Sequence, residues 1–295
     1  MGCAIIGKVL YKENIDVEYC NYEDINQKVT DYICNQEYLN FDFTYITDIS
    51  VHNHVAQLIE NEELSTFNLR DKVQLLDHHP TALELNKYEW CKVVIEEYDE
   101  KTSGTSLFYK YLLNHYKGWI FADLYVFTEV VRKYDTWLWK TKYNDNKPKM
   151  WNDLFYIMGR DNFINEMTNR IIINNFKFTD TDLKLLEYKQ LEIDRYIESK
   201  SKNIIEKDIL NYKAGIVFAE SYHSELGNKL AENNPHLDFI VLINPSTAIS
   251  YRGVKDNIDL GKDIASIYNG GGHPKAAGSP LPEGLREQII ELIFK

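Results

Sequence analysis

The sequence predicts an α/β protein in two parts: a mostly parallel sheet flanked by helices, a long connecting helix, and a smaller α/β region. Three observations predict it. Short β-rich apolar runs alternate with helical stretches over the first hundred residues, the pattern of parallel strands joined by crossover helices. Residues 181–209 then form one periodic segment with neither Pro nor Gly inside it. A second strand–helix alternation follows and carries a glycine-rich loop near its end. The 295 residues amount to about two domains. An apolar share of 44% is enough for a sizeable core.

Each element has its own local reason. Val17–Tyr19, Thr44–Thr47, Val73–Leu76 and Val93–Ile95 are β-branched, aromatic or leucine runs and read as strands. Residues 3–11, 25–34 and 51–64 between them read as helices. Helices then dominate: Ser106–His115 and Ala122–Tyr134 repeat apolar residues at three- and four-residue spacing. Leu183, Leu186, Ile193, Ile197, Ile204 and Ile205 form a stripe along 181–209, predicting one long helix, bent near Ser199–Ser201. Beyond it come a strand at Ala214–Ala219, a helix at 224–233, and strands at Phe239–Ile243 and Ala248–Tyr251. A helix near 260–268, the glycine loop and a last helix at 284–293 complete the chain. The expected division is 1–180, a connector at 181–210, and 211–295.

Composition excludes several classes. No apolar run approaches the roughly 20 residues that span a bilayer, and no basic segment followed by an apolar core marks a secretory signal. Ile6 stands where a myristoylation signal wants Ser or Thr. The four cysteines, Cys3, Cys20, Cys34 and Cys91, include no Cys-x-x-Cys pair, so the expectation is buried free thiols in a reducing, cytoplasmic setting. A net charge of −12 argues against a protein that coats long duplex nucleic acid. It leaves room for short phosphate substrates at a site with its own cations.

Four constellations carry chemistry. In Leu75-Leu76-Asp77-His78-His79-Pro80 an apolar strand runs into an acid and two imidazoles. Ligands of parallel sheets sit beyond the strands' C-terminal ends, and this donor set suits Mn, Fe or Zn; a polar strand exit with a helix cap would look similar. Tyr45-Ile46-Thr47-Asp48 also ends a strand in a carboxylate, which puts Asp48 and Asp77 on one sheet edge if the strands are parallel. Asp48 alone would read as a helix cap. Asp135 closes a helix in Arg132-Lys133-Tyr134-Asp135-Thr136-Trp137, where its charge opposes the dipole. A metal would compensate, as would Arg132 or Lys133. Last, Gly270-Gly271-Gly272-His273-Pro274-Lys275 exposes backbone amides and adds donors, which reads as an anion cradle in preference to a plain turn. His52 and His54, two residues apart, do not share a helix face.

At these residues the sequence resembles the DHH–DHHA1 phosphoesterase superfamily. Asp77-His78-His79 is similar to its name motif, Asp48 and Asp135 to its second and fourth acidic motifs, and Gly270-Gly271-Gly272-His273 to the signature of its DHHA1 domain. Val131–Trp137 and Glu220–Asn228 resemble the nanoRNase B branch of small oligoribonucleases.

The resemblance implies a DHH-type catalytic domain, a smaller DHHA1 substrate domain, and a two-metal hydrolase using Mn²⁺. Asp48 would bridge the ions and His78 and Asp135 would bind one. Asp77 would orient the site, and His79 would contact the scissile phosphate. Arg252, His273, Lys275 and Gly270–Gly272 would hold the nucleotide. The family's first motif, His-x-Asp-x-Asp-Gly, would directly precede Gly2-Cys3-Ala4, so one metal position is expected to be incomplete in residues 1–295. The implied activity is hydrolysis of short oligoribonucleotides to mononucleotides. Alternatives are a pAp phosphatase, a cyclic mono- or dinucleotide phosphodiesterase, or a nucleotide-binding module without catalysis. The implied partners are short RNA or small nucleotides, with no membrane; a homodimer is compatible with the sequence.

Overall fold

A computed structural model describes residues 1–62 and 68–294, and it divides the chain into two compact units, Met1–Leu186 and Glu187–Lys295. The first unit begins with α1 (Gly2–Tyr11) and α2 (Ile25–Cys34), then β1 (Thr44–Thr47), α3 (Asn53–Asn61), β2 (Val73–Asp77) and β3 (Cys91–Val93). A two-rung hairpin, β4 (Glu96–Glu97) and β5 (Glu100–Lys101), leads into α4 (Gly104–His115) and α5 (Ala122–Asp135). The helices α6 (Leu138–Thr141), α7 (Lys147–Met158) and α8 (Arg160–Ile172) follow.

Strands β1, β2 and β3 lie side by side in that order, both pairings parallel, with Thr47 opposite Leu76 and Asp77 opposite Val93. Successive residues of β2 point to opposite faces. Leu75 joins Ile46, Val55, Ala56 and Ile59 on one side, while Leu76 joins Ile5, Ile6, Leu107 and Leu124 on the other. Both leucines have zero exposure, so the central strand is covered by helices on its two faces. The expected parallel sheet is therefore present.

The second unit starts within α9 (Asp180–Ser201), a helix about 33 Å long at 1.5 Å per residue. It continues with β6 (Ile205–Ile209), β7 (Tyr212–Phe218), α10 (His223–Asn233), β8 (Phe239–Ile243) and β9 (Ala248–Gly253). Then come β10 (Gly271–His273), β11 (Ala276–Pro280) and α11 (Leu285–Ile293). The strands form one sheet in the order β10-β11-β9-β8-β7-β6, parallel only between β7 and β8. Ile240 and Leu242 pack beneath Leu226 and Leu230 of α10; Phe239, Val241 and Tyr251 fill the opposite face.

Several expectations need correction. The long helix ends at Ser201, where a bend was expected. Ser201 Oγ and Asn203 Nδ2 bond back to the carbonyls of Ile197 and Ser199, satisfying the last turn. Ile205–Ile209 becomes an edge strand against β7, because pairing Ile205 with Ile216 fills ladder positions a longer helix would leave open. Residues 260–268 make two short helical turns in place of one helix, and the glycine loop is the hairpin β10–β11. Val17–Tyr19 joins no ladder among the described residues; Tyr19 instead lies under the Arg160 guanidinium, 4.4 Å from its ring centre. β3 begins two residues earlier than expected. The predicted helix 51–64 is α3, and its last two positions, 63 and 64, lie outside the described residues. The four cysteines are free; Cys3 and Cys91 are buried as expected, while Cys34 is exposed.

Candidate metal and phosphate site

The chain leaves β1 at Asp48, whose φ of 63° is a left-handed conformation that Asp tolerates better than most residues. Its amide still donates to Leu76 O at 2.9 Å, which keeps Asp48 level with the end of β2. The twist turns its carboxylate toward the first turn of α4, where Gly104 N donates to Oδ1 at 3.0 Å. Carboxylates are favoured at a helix N-terminus. Gly104 has to be glycine, since a Cβ there would stand 2.4 Å from that same oxygen.

Asp77 ends β2 and is 1% exposed. Its buried carboxyl group accepts from His78 N at 2.8 Å and Ser50 Oγ at 2.5 Å, and lies 2.7 Å from His79 Nδ1. A carboxylate so engaged orients its neighbours. The His78 and His79 rings lie side by side, centres 4.5 Å apart and planes tilted 54° to one another. His78 Nε2 lies 3.4 Å from Asp48 Oδ1 and 3.2 Å from Asp135 Oδ2. Asp48, His78 and Asp135, from three separate segments, thus bring one ligand atom each within 4.8 Å of one another. Asp77, His78 and His79 form a second such group.

The electrostatics fit a cation. Desolvation by the surrounding groups, then the Asp48 charge, pushes the Asp135 carboxyl above its usual range even though its side chain stays 38% exposed, and the two histidines offset only part of that. Burial presses the His78 imidazolium down, yet its hydrogen bond to Asp48 and the charges of Asp135 and Asp77 outweigh this and raise it. Asp48 and Asp135 both press on His78, which brings too little positive charge to offset them. A divalent ion would relieve both, and mixed carboxylate–imidazole donors suit Mn²⁺. Asp135 makes no ion pair with Arg132 or Lys133 among the described residues. Arg132 instead binds Glu129, Glu100 and the Lys101 carbonyl, and Lys133 lies over the Tyr143 ring.

Three residues at this site had no signal that sequence reading could use. Gly104 and Ser50 act through contacts 56 and 27 positions away in the chain. Tyr22 places its hydroxyl 3.1 Å from His79 Nε2, its ring edge-on to the imidazole. His52 and His54 are exposed and belong to neither ligand group.

In the second unit, Ala276 of β11 pairs with His273 of β10 on one side and with Arg252 of β9 on the other. Directly paired residues share a face, so Arg252 and His273 stand on the same face, two strand spacings or about 10 Å apart. Arg252 lies against Gly227 of α10 and donates to Tyr251 O and to Ser224 Oγ. Burial lowers its guanidinium below the ordinary value, with Glu225 opposing. Two of the three glycines are needed by the hairpin: a Cβ on Gly270 would meet Gly278 O at 2.1 Å, and Gly272 has φ 142°. Gly271 alone faces open space. Lys275 is tied to Asp256 at 2.6 Å and to the Lys255 carbonyl.

A parallel sheet with a carboxylate–imidazole cluster beyond its strand ends defines an α/β protein with a metal-type site at the usual ligand edge. No family model matches the chain. Oligoribonuclease NrnB of Bacillus subtilis (strain 168) is 37% identical over 301 aligned residues, covering all of this chain and 73% of that protein. Among solved structures, RecJ in complex with Mn²⁺ from Thermus thermophilus has a TM-score of 0.49 at 14% identity, over 98% of this chain and 49% of that one. A pGpG-specific phosphodiesterase, PggH from Vibrio cholerae, has 0.46 at 12% identity, over 99% and 93%. Those two likenesses are too distant to bear on function; the sequence relative is what counts. The chain belongs to the DHH–DHHA1 phosphoesterase superfamily, in the nanoRNase B branch with oligoribonuclease NrnB.

Proposed function

We propose that this chain is a metal-dependent phosphodiesterase that hydrolyses short oligoribonucleotides to mononucleotides. The observation that carries the reading is the convergence of Asp48, His78 and Asp135 beside a His79 held on Asp77. Asp48, His78 and Asp135 hold Mn²⁺, which when bound supplies Lewis-acid stabilisation of the charge that develops on phosphate. Gly104 fixes the Asp48 carboxylate through its amide. Asp77 holds the His79 ring at Nδ1, 2.7 Å away, so Nε2, 3.1 Å from the Tyr22 hydroxyl, is the nitrogen that meets the scissile phosphate in place of that hydroxyl. Arg252 and His273, on one face of the second unit's sheet, take up the nucleotide, Arg252 through its planar fork of donors. Gly271 leaves room for close approach, and Lys275 acts once released from Asp256. The 37% relative, an oligoribonuclease by name, supports short RNA as the substrate class.

Incubation of a 5′-labelled ribodinucleotide with Mn²⁺, with and without a chelator, tests this. The expected result is mononucleotide release that stops on chelation. Turnover of pAp or cyclic AMP with none of the dinucleotide would overturn the substrate, and chelator-resistant turnover would overturn the metal site.

A further inference from the structure

We propose that Arg132 is a positioning residue for the metal site, clamping the end of α5, which carries Asp135, to the strand that leads into Gly104 and so to Asp48. Among the described residues the Asp135 carboxylate pairs only with His78. Asp48 is held by Gly104 N, and Asp77 by His78 N and Ser50. Where Asp135 stands is therefore decided by where the last turn of α5 stands. The role rests on the metal site proposed above and extends it to a residue that touches neither ion nor substrate.

Arg132 lies three residues before Asp135 on α5 and is 8% exposed. A buried charge has to be paired, and this one is paired across two segments. Nε and Nη2 donate to the two oxygens of Glu129 on the same helix, at 2.9 and 2.7 Å. Nη1 crosses to β5 and donates to Glu100 Oε2 at 3.0 Å and to the Lys101 carbonyl at 2.9 Å. Gly104, whose amide holds Asp48, follows Lys101 by three residues. The two residues between have little slack, since Thr102 N donates to Ile95 O and Ser103 caps α4. On the other side, Thr136 closes the helix on Arg132 O through its amide and its hydroxyl, at 3.1 and 2.7 Å. Glu100 also accepts from the Tyr143 hydroxyl and Lys142 Nζ, so one carboxylate gathers the chain before and after Asp135. A buried ion pair is a weak device for stability alone. This one joins two metal-ligand segments by short bonded tethers, and ligand positions tolerate only about 0.2 Å. The arginine fork is needed: a lysine ammonium cannot grip both oxygens of Glu129 side by side and reach β5 as well.

Calorimetric Mn²⁺ titration of the full chain, with a thermal melt of every variant, tests this. Arg132→Lys should weaken Mn²⁺ binding about 10- to 100-fold, the range for residues that orient a ligand from behind. Glu100→Ala leaves Arg132 its Glu129 and Lys101 partners and should weaken binding about three- to tenfold, the worth of one hydrogen bond. Asp182→Ala is the control. It breaks another buried arginine pair of the same unit, at Arg170, and should lower the melting temperature with Mn²⁺ affinity unchanged. Wild-type affinity in a folded Arg132→Lys protein would overturn the clamp; should that variant not fold, wild-type affinity in Glu100→Ala would do so. A loss in Asp182→Ala as large as in Arg132→Lys would overturn it too, because the effect would then follow stability and not position. Asp135→Ala separates the clamp from the reading it rests on. Loss of Mn²⁺ in Asp135→Ala but not in Arg132→Lys removes the clamp alone. Undiminished binding in Asp135→Ala, or none in wild type, removes the metal site and the clamp with it.

Discussion

Replacing Gly104 by Ala tests the site through its tightest contact. The added Cβ would lie 2.4 Å from Asp48 Oδ1 and 2.5 Å from both Cα and Cβ of Asp48. Carbon contacts settle at about 3.5–4.0 Å, so the two segments must separate by roughly 1 Å. Neither side gives cheaply, because Gly104 opens α4 behind the Ser103 capping box and Asp48 is pinned to Leu76 O. Ligand positions tolerate only about 0.2 Å, so the displacement should take Asp48 out of reach of a cation shared with His78 and Asp135. Mn²⁺ affinity should fall about 100-fold, the upper end of what misplacing a ligand costs. Stability should fall by about 1–3 kcal/mol, the usual cost of overpacking. Calorimetric Mn²⁺ titration of Gly104→Ala and Asp48→Ala, with circular dichroism melts of both, measures each number. A folded Gly104→Ala protein that binds Mn²⁺ as tightly as wild type would refute the placement of Asp48 in the site.

Three other outcomes are expected. His79→Ala should keep Mn²⁺ and lose about 100-fold or more in kcat, since it removes a group stabilising transition-state charge; loss of Mn²⁺ in calorimetry would make His79 a ligand instead. Arg252→Ala should raise KM for a ribodinucleotide but affect bis-p-nitrophenyl phosphate far less, and equal losses on the two would remove it from nucleotide recognition. Asp182→Ala should cost about 1–3 kcal/mol in a denaturant melt, because it removes the carboxylate 2.6 and 3.1 Å from Arg170, 6% exposed, and leaves that guanidinium with Glu166 and the Lys177 carbonyl. Burial alone would raise the Asp182 carboxyl, but bonds from Arg170 and Thr179 lower it below its ordinary value. Its contribution is therefore full above about pH 4, the unfolded value, and is lost as pH falls through the lower folded value. Melts from pH 5 to 2 should show a larger loss in wild type than in Asp182→Ala, which keeps only the other lowered carboxylates, Glu100 among them.

Strand and helix identities in the first unit were legible where pattern and burial agree. Thr44–Thr47 forms the expected strand, and Ile25–Cys34 the expected helix. Local pattern failed where pairing decided the outcome. Ile205–Ile209 fits a helical stripe equally well, and only β7 beside it makes it a strand. The three glycines advertised a ligand loop, yet two of them are required by the closeness of β10 to its neighbours.

The sequence by itself determined the donor types and the strand ends that carry them, because an apolar run ending in Asp or Asp-His-His places those groups at a sheet edge. It determined as well that Arg252 and His273 belong to the later region. Only the tertiary structure decided which donors meet. His78 turns to Asp48 and Asp135, while His79 turns to Asp77 and Tyr22, although the two histidines are adjacent. That choice depends on the φ of Asp48, the depth of Asp77 and the turn before α2. Each is set by packing between segments tens of residues apart, and no local periodicity encodes such distances.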